Sequence, residues 1–274
     1  MPEHRRGGDG RREKRRAGGV GPAGFLPGVG LAIFATAAAV TIPVTISRAA
    51  GARPLVVAID PGHGGSNLGA AGPKANIFEK KVTLELARRL RDRLAPGGQV
   101  QAVLCRDQDV LVPIRARARC VQAAHADLFV SLHANATPPG VAPGSRRGFE
   151  VYVLSPQETE DDAAVAAARE PDDADAVWAA HQVRGTAGRS AVAARLFEHR
   201  LKEALGAKAS RGIRQRGASL DVLRGTGAPG VLVEVGFLDH PEEGAQLASP
   251  AGQDRIAAAL ARAVADFSAA VAGQ

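Results

Sequence analysis

The chain of 274 residues is long enough to bury one sizeable core beside an export segment. Its formal net charge of +7 would suit an acidic partner, but the first 52 residues alone hold 8 Lys or Arg against 3 Asp or Glu, which leaves 27 against 25 in the remainder. Because the basic excess lies at the amino terminus and not over the body of the chain, we expect no nucleic-acid partner.

The amino-terminal residues have the pattern of an export signal. Arginine pairs and Lys14 come first, and an uncharged stretch that includes the apolar run from 30 to 46 follows, up to Arg48. This order is typical of a signal peptide, and the apolar run would also suffice for one membrane-spanning helix. Ala50-Gly51-Ala52 is an acceptable cleavage sequence, so residues 1–52 are predicted to be a signal peptide or a signal anchor. Both alternatives predict export to the periplasm or cell envelope, with membrane contact only through this segment.

Residues 53–274 alternate between strand and helix patterns. The apolar runs that predict strands are Leu55–Asp60, Gln99–Cys105, Leu128–Leu132, Phe149–Leu154, Leu220–Leu223 and Gly230–Val235. Amphipathic spacing predicts helices over Glu79–Leu94, Ala191–Leu205 and Arg255–Val271. The alternation predicts an α/β fold of three layers, in which helices flank a mostly parallel, twisted sheet on both faces.

Residues 155–189 depart from this pattern. Their composition turns acidic and alanine-rich, and Ala163–Glu170 could form a short helix that Pro171 interrupts. We therefore expect an inserted acidic segment with some helix, although a solvated loop or a disordered insertion is the plainer interpretation. Long insertions in α/β enzymes also act as lids over a site.

The chain has two cysteines, Cys105 and Cys120. In an oxidising compartment they could form a disulfide, but one ends a predicted strand and the other lies in a predicted helix. The sequence does not show whether their Cβ atoms meet. The expectation is two small buried side chains, with a disulfide as the alternative.

Two histidines follow two of the predicted buried strands. His63 lies in Asp60-Pro61-Gly62-His63-Gly64-Gly65, and His133 follows Leu128–Leu132. Ligands of open α/β sheets bind beyond the carboxyl ends of the strands, so we expect both imidazoles at one edge of the sheet. Two converging imidazoles and a carboxylate make a catalytic zinc site, although either histidine alone could equally be a loop residue with backbone hydrogen bonds.

Two glutamates are candidates for the acidic groups of such a site. Glu79 opens a predicted helix, where it could bind the metal or simply complement the helix dipole. Glu234 lies inside an apolar strand, and a buried carboxylate requires a metal, a cation or a function. Near zinc, Glu234 would act as the general base. The alternative is an ion pair between Glu234 and an arginine such as Arg211.

Four motifs in this order resemble a known family. They are Asp60-Pro61-Gly62-His63-Gly64-Gly65, Glu79-Lys80, Ser131-Leu132-His133-Ala134-Asn135-Ala136 and Val233-Glu234-Val235-Gly236-Phe237. Together they resemble the zinc-dependent N-acetylmuramoyl-L-alanine amidases, bacterial enzymes that cut peptidoglycan. The resemblance implies a catalytic domain over 53–274, one Zn²⁺ ion held by His63, Glu79 and His133, and Glu234 as the catalytic glutamate. It also implies hydrolysis of the amide bond between N-acetylmuramic acid and L-alanine.

The resemblance further suggests a regulatory role for residues 155–189. In cell-division members of the family, an extra segment after the strand that corresponds to 151–155 carries a helix that blocks the zinc site. We therefore expect autoinhibition, in which Glu170 or a neighbour approaches the metal until a protein activator displaces the segment.

Some residues depart from the family pattern, and other functions stay open. Asn67 stands where many relatives have aspartate, and His240 in the Asp239-His240 pair is expected to lie in a surface turn. A zinc carboxypeptidase is one alternative, which would need an arginine such as Arg211 or Arg224 for the substrate carboxylate. A non-catalytic peptidoglycan-binding regulator is another, although the intact Glu234 argues against it.

Overall fold

The computed structural model describes residues 53–170, 172–215 and 218–272. The predicted signal segment over 1–52 and Pro171 lie outside the described residues. Among the described helices, none combines the length and the apolar character that crossing a bilayer requires.

The described residues form one sheet of six strands. The strands are β1 Leu55–Pro61, β2 Val100–Leu104, β3 Leu128–Asn135, β4 Phe149–Tyr152, β5 Ser210–Arg214 and β6 Gly230–Phe237. Their order in the sheet is β2-β1-β3-β6-β4-β5. Strands β2, β1, β3 and β6 run parallel to one another, whereas β4 is antiparallel to β6 and parallel to β5. The predicted mostly parallel sheet is confirmed, with two reversed strands at one side.

Helices cover both faces of the sheet. They are α1 Glu79–Leu94, α2 Ile114–Ala123, α3 Pro156–Ala167, α4 Asp173–Leu205, α5 Pro241–Ala248 and α6 Pro250–Ala272. The larger core lies between the sheet and α1, α4 and α6. A smaller core on the opposite face is closed by α2 and the 3₁₀ helix Ala218–Leu223. The three-layer α/β fold is therefore confirmed.

Helix α1 has the bounds that its periodicity predicts. Val82, Leu86, Leu90 and Leu94 recur every four residues and are all buried against the sheet. Past the helix, Gly97 and Gly98 adopt positive φ angles of 87° and 63°, which glycine reaches without steric cost. The strong apolar stripe and the sharp stop explain why the sequence locates this helix so well.

The structure departs from several predictions for the second half of the chain. The run Leu220–Leu223 lies in the 3₁₀ helix and not in a strand, because its apolar side chains fill the smaller core below β6. The strand β5 was not predicted, since Ile213 is its one large apolar residue. Helix α5 was not predicted either, and α6 begins at Pro250 and not at Arg255.

The acidic segment over 155–189 is helical. Ser155 begins α3 with a capping box, in which its Oγ accepts from the Glu158 N–H and the Glu158 carboxylate accepts from the Ser155 N–H. Helix α4 then starts at Asp173, well before the predicted start at Ala191. The segment contains helix as expected, although α3 spans Pro156–Ala167 and not the predicted Ala163–Glu170. The plainer interpretation as a loop or disordered segment is wrong. Glycines within α4 weakened its helical signal.

Cys105 and Cys120 form a disulfide, with their Cα atoms 5.6 Å apart. The expectation of two unpaired cysteines is therefore wrong. The pairing arises because α2 crosses the smaller core next to the end of β2. That approach is a tertiary feature, which the spacing of the two residues does not reveal.

We predict that Leu90→Ala lowers the free energy of unfolding by about 2–5 kcal/mol, because Leu90 is fully buried between α1 and the sheet. Urea unfolding followed by circular dichroism measures this change. The control is Leu111→Ala at a residue that is 54% exposed, where the same truncation should change stability far less. Equal losses in both variants would contradict the assigned core.

Candidate metal centre

The two predicted histidines meet at one edge of the sheet. β1 and β3 are neighbouring parallel strands in which Pro61 pairs with Leu132, so both strands end at the same level. His63 lies in the turn after β1, and His133 lies near the end of β3. Their ring centroids are 4.9 Å apart. The topology therefore brings together two imidazoles that are 70 positions apart in the sequence.

Glu79 lies between the two imidazoles. Its Oε2 is 3.0 Å from His63 Nε2, and its Oε1 is 2.9 Å from His133 Nδ1. The same carboxylate accepts hydrogen bonds from the backbone N–H groups of Ala70 and Ala134, at 2.8 Å and 3.0 Å. Only 4% of Glu79 is exposed, so the first residue of α1 is held rigidly toward the sheet edge.

Two glycines leave the space that this arrangement needs. A Cβ atom at Gly62 would lie 2.4 Å from the His133 ring, and one at Gly69 would lie 2.5 Å from Glu79 Oε2. Both distances are far below van der Waals contact, so any side chain at either position would displace a member of the cluster. The glycine-rich turn sequence is thus a steric requirement of the site.

The ligand atoms of His63, Glu79 and His133 all lie within 4.8 Å of one another. Asn67 Oδ1 is 2.9 Å from His63 Nδ1, and an amide oxygen accepts hydrogen bonds, so Nδ1 is the protonated nitrogen. This leaves the Nε2 lone pair of His63 directed toward the Glu79 carboxylate. Electron pairs that face each other at 3 Å require a proton or a cation between them, so the donor set fits a bound metal.

The charges of the cluster are strongly coupled. Burial alone would raise the pKa of Glu79, but its contacts with the imidazoles of His133 and His63 outweigh burial and hold that pKa well below its usual range. Burial opposes protonation of His133, yet the contact with Glu79 prevails and raises the pKa of the imidazole. The cluster therefore keeps a carboxylate anion and attracts positive charge.

Glu234 lies next to the cluster because of the strand register. It pairs with His133 across β3 and β6, and with Glu150 across β6 and β4. Its Oε2 atom is buried and has no hydrogen-bond partner among the described residues. Burial first, and then the nearby negative charges of Glu79 and Glu150, raise the pKa of Glu234 to about 7. A partly exposed carboxylate with one buried, unpartnered oxygen is suited to exchanging a proton near neutral pH.

The alternative ion pair of Glu234 with Arg211 does not form. Arg211 Nε donates to Glu150 at 2.9 Å, and Glu150 also accepts from Asn135 and from the Tyr152 hydroxyl. Glu150 was not among the predicted site residues, although an acidic residue within the predicted strand Phe149–Leu154 is the same signal that indicated Glu234. Arg224, the other arginine of the carboxypeptidase alternative, pairs with Asp162 of α3 at 2.8 Å.

Glu170 is not brought to the cluster. It is exposed in the turn between α3 and α4, and no hydrogen bond or ion pair of the three clustered residues within the described chain involves residues 155–189. Tyr152, at the end of β4, pairs with Leu232 near the start of β6, so α3 leaves the sheet at the edge opposite to the histidines. The expected approach of Glu170 to the metal is therefore absent from this conformation. His240, expected in a surface turn, caps α5 by accepting from the Glu243 N–H.

Comparison with known proteins identifies the family. Residues 57–266 match the family model described as N-acetylmuramoyl-L-alanine amidase. The chain is 32% identical over 230 residues to N-acetylmuramoyl-L-alanine amidase AmiC of Neisseria meningitidis, which covers 78% of this chain and 52% of that one. It is 30% identical over 227 residues to AmiA of Escherichia coli, covering 77% and 75%.

A solved structure has the same fold. It is N-acetylmuramoyl-L-alanine amidase AmiC2 of Nostoc punctiforme, with a TM-score of 0.58, 30% sequence identity and coverage of 78% of this chain and 96% of that one. Several curated relatives are longer, and the chain spans about half the length of those such as the Neisseria protein.

We predict that Glu234→Gln stabilises the metal-free protein at pH 8, by roughly 1–3 kcal/mol. The pKa of Glu234 is about 7 when folded and 4.5 in the reference state, so the folded protein binds the proton more tightly. The ionised carboxylate therefore lowers stability as pH rises from 4.5 through 7, and the gain from the amide should vanish below pH 4.5. Thermal unfolding of the chelator-treated protein between pH 4 and 8 measures it. Glu242→Gln at the exposed start of α5 is the control, and a gain in Tm that does not change with pH would contradict the assignment.

Proposed function

This chain belongs to the N-acetylmuramoyl-L-alanine amidase family, and we propose that it hydrolyses the amide bond between the lactyl group of N-acetylmuramic acid and L-alanine in peptidoglycan. The biological setting would be cell-wall remodelling or daughter-cell separation. One observation carries the proposal: two imidazoles and a carboxylate face one another, beside Glu234, whose buried Oε2 atom has no hydrogen-bond partner among the described residues.

In this proposal His63, Glu79 and His133 hold one Zn²⁺ ion. Two neutral nitrogen ligands and one carboxylate oxygen are the donor set of many catalytic zinc sites, which leave a further position for water or substrate. The histidine side chains are 22% and 19% exposed, so the cluster is open to solvent on one side. The hydrogen bond of His63 with Asn67 and the backbone contacts of Glu79 would keep the ligands oriented.

Glu234 is the proposed general base. Bound zinc supplies Lewis acidity, which polarises the scissile carbonyl and lowers the pKa of a water molecule toward about 7. Glu234 accepts the proton of the attacking water through its unpartnered oxygen and delivers it to the leaving nitrogen of L-alanine. Its raised pKa suits both steps, since the same group must first accept and then release a proton near neutral pH.

The two alternative functions have less support. A carboxypeptidase needs a free cationic group for the substrate carboxylate, but Arg211 is paired with Glu150 and Arg224 with Asp162. A non-catalytic regulator has no use for the buried, unpartnered Oε2 atom of Glu234 beside His133, which costs stability.

The proposed location is outside the cytoplasm, in the periplasm or cell envelope. The basic and then apolar pattern of residues 1–52 supports export. The Cys105–Cys120 disulfide supports it independently, because disulfides persist in oxidising compartments.

A protein activator that acts on residues 155–189 also belongs to the proposal. The α3–α4 hairpin presents exposed Val165, Val177 and Trp178, which are 48%, 71% and 62% exposed and offer apolar surface to a partner. Its distance from the histidine edge favours docking of the partner over direct blocking of the metal by Glu170.

The test digests purified peptidoglycan with zinc-loaded and with chelated protein and identifies the new ends by mass. We expect peptides that begin with L-alanine and glycan chains with a free lactyl carboxylate, from the zinc-loaded protein only. Release of free carboxyl-terminal amino acids without separation of glycan and peptide would favour the carboxypeptidase instead. Glu234→Ala should retain bound zinc and lose at least about a hundredfold in kcat, in line with general-base contributions.

Glu170→Ala should leave the basal rate on the same substrate within about twofold, because Glu170 is exposed and makes no hydrogen bond or ion pair with the clustered residues. Initial rates of the parent and the variant, without any partner protein, give the comparison. A large increase in basal rate would instead restore the autoinhibitory hypothesis for this residue.

A further inference from the structure

Two arginines bind the backbone of the turn that contains His63. Arg117 donates from Nη1 to the Pro61 carbonyl at 2.8 Å and from Nη2 to the His63 carbonyl at 2.7 Å. Arg106 donates from Nε to the Pro61 carbonyl at 2.8 Å and from Nη2 to the Gly62 carbonyl at 2.7 Å. Three consecutive carbonyl groups of the turn are therefore bound by two guanidinium groups.

This turn needs such support. His63 has a φ angle of 61°, in the left-handed region that side chains with a Cβ atom rarely adopt. A left-handed histidine persists only when its surroundings enforce the conformation. The orientation of the peptide groups on either side of His63 sets the direction of its Cα–Cβ bond. The arginines fix those peptide groups through hydrogen bonds to their carbonyl oxygens, and they thereby orient the imidazole toward Glu79.

The burial of two positively charged guanidinium groups costs free energy. Arg106 and Arg117 are only 4% and 5% exposed, and burial lowers the pKa of Arg106. Arg117 forms a buried ion pair with Asp60, whose other oxygen accepts from Ser131 Oγ at 2.9 Å. The hydrogen-bond partners of Arg106 are instead backbone carbonyls and the Thr83 hydroxyl. Buried ion pairs add little net stability, so their value here lies in fixing a geometry.

The disulfide joins the two segments that carry these arginines. Cys105 directly precedes Arg106 at the end of β2, and Cys120 lies one helical turn after Arg117 on α2. Of the ten residues of α2, Arg117 and Val121 are buried, so the apolar packing of this helix against the sheet is sparse. The covalent link therefore adds a restraint that keeps α2, and with it Arg117, close to the turn.

We propose that Arg106 and Arg117, held together by the Cys105–Cys120 disulfide, are positioning residues that set the metal affinity of the cluster through His63. The inference rests on the metal centre of the proposed function, but it does not depend on the substrate. No hydrogen bond or ion pair joins either arginine to the three ligand side chains, so their effect passes through the backbone of the turn.

The test measures Co²⁺ binding, because the visible absorption of bound Co²⁺ reports the geometry of its ligands as well as its affinity. Arg117→Met should weaken Co²⁺ binding by about 10- to 100-fold and change the absorption bands, as loss of a ligand-orienting contact does. Arg119→Met, at an exposed arginine on the same helix, is the matched control and should leave both unchanged.

A second variant distinguishes the loss of the positioning contact from a folding defect. Arg117→Lys keeps the positive charge beside Asp60, but one ammonium group does not match the two carbonyls that the guanidinium fork spans. We expect a folded protein with intermediate Co²⁺ affinity. Parent-like affinity and absorption bands in folded Arg117→Lys and Arg117→Met proteins would overturn the proposal.

The role of the disulfide is tested with the double variant Cys105→Ser and Cys120→Ser. It should weaken Co²⁺ binding by about tenfold, with little further loss when it is combined with Arg117→Met, because both changes release the same turn. An unchanged affinity in the double variant would refute the disulfide's part. If the parent binds Co²⁺, the variants behave as expected and peptidoglycan is not cleaved, the positioning role stands and the proposed reaction fails. If the parent itself does not bind Co²⁺, the metal centre and the positioning role both fail.

Discussion

The contact of the Glu79 carboxylate with two imidazoles is the interaction on which the functional interpretation depends. Each carboxylate oxygen faces one histidine nitrogen at about 3 Å, and each also accepts a backbone N–H. This geometry brings an anion and two bases together in the restricted space that Gly62 and Gly69 leave at the sheet edge. The other features of the site either position these three groups or are affected by their charge.

The strand register places ionisable side chains next to one another across the sheet. His133, Glu234 and Glu150 are partners on three adjacent strands, so a base, a carboxylate without a partner and a carboxylate with several partners lie side by side. The arginines around Glu150 neutralise it, whereas Glu234 keeps its oxygen free. Two neighbouring carboxylates thus differ because one meets cations and the other meets apolar strands and an imidazole.

The polar groups behind the site form a second structural layer. Asp60, Ser131 and Arg117 are buried on the smaller core, beneath the turn that presents His63. A cluster of this kind contributes little net stability, yet it limits the conformations of a strained turn. The disulfide links α2, in which only Arg117 and Val121 are buried, to Cys105 at the end of β2, and so it restrains this helix beside the polar groups.

The sequence alone determined the elements with strong local patterns. The fourfold spacing in α1 and the apolar runs of β1, β3 and β6 predicted their positions, and with them the sheet edge at which His63, Glu79 and His133 meet. Tertiary structure alone decided the pairing of Cys105 with Cys120, the cations around Glu150, the conversion of Leu220–Leu223 into a 3₁₀ helix and the position of Glu170 away from the cluster. The physical reason is that periodicity records which face of an element is buried, whereas these features depend on which distant side chain occupies the space beside that face.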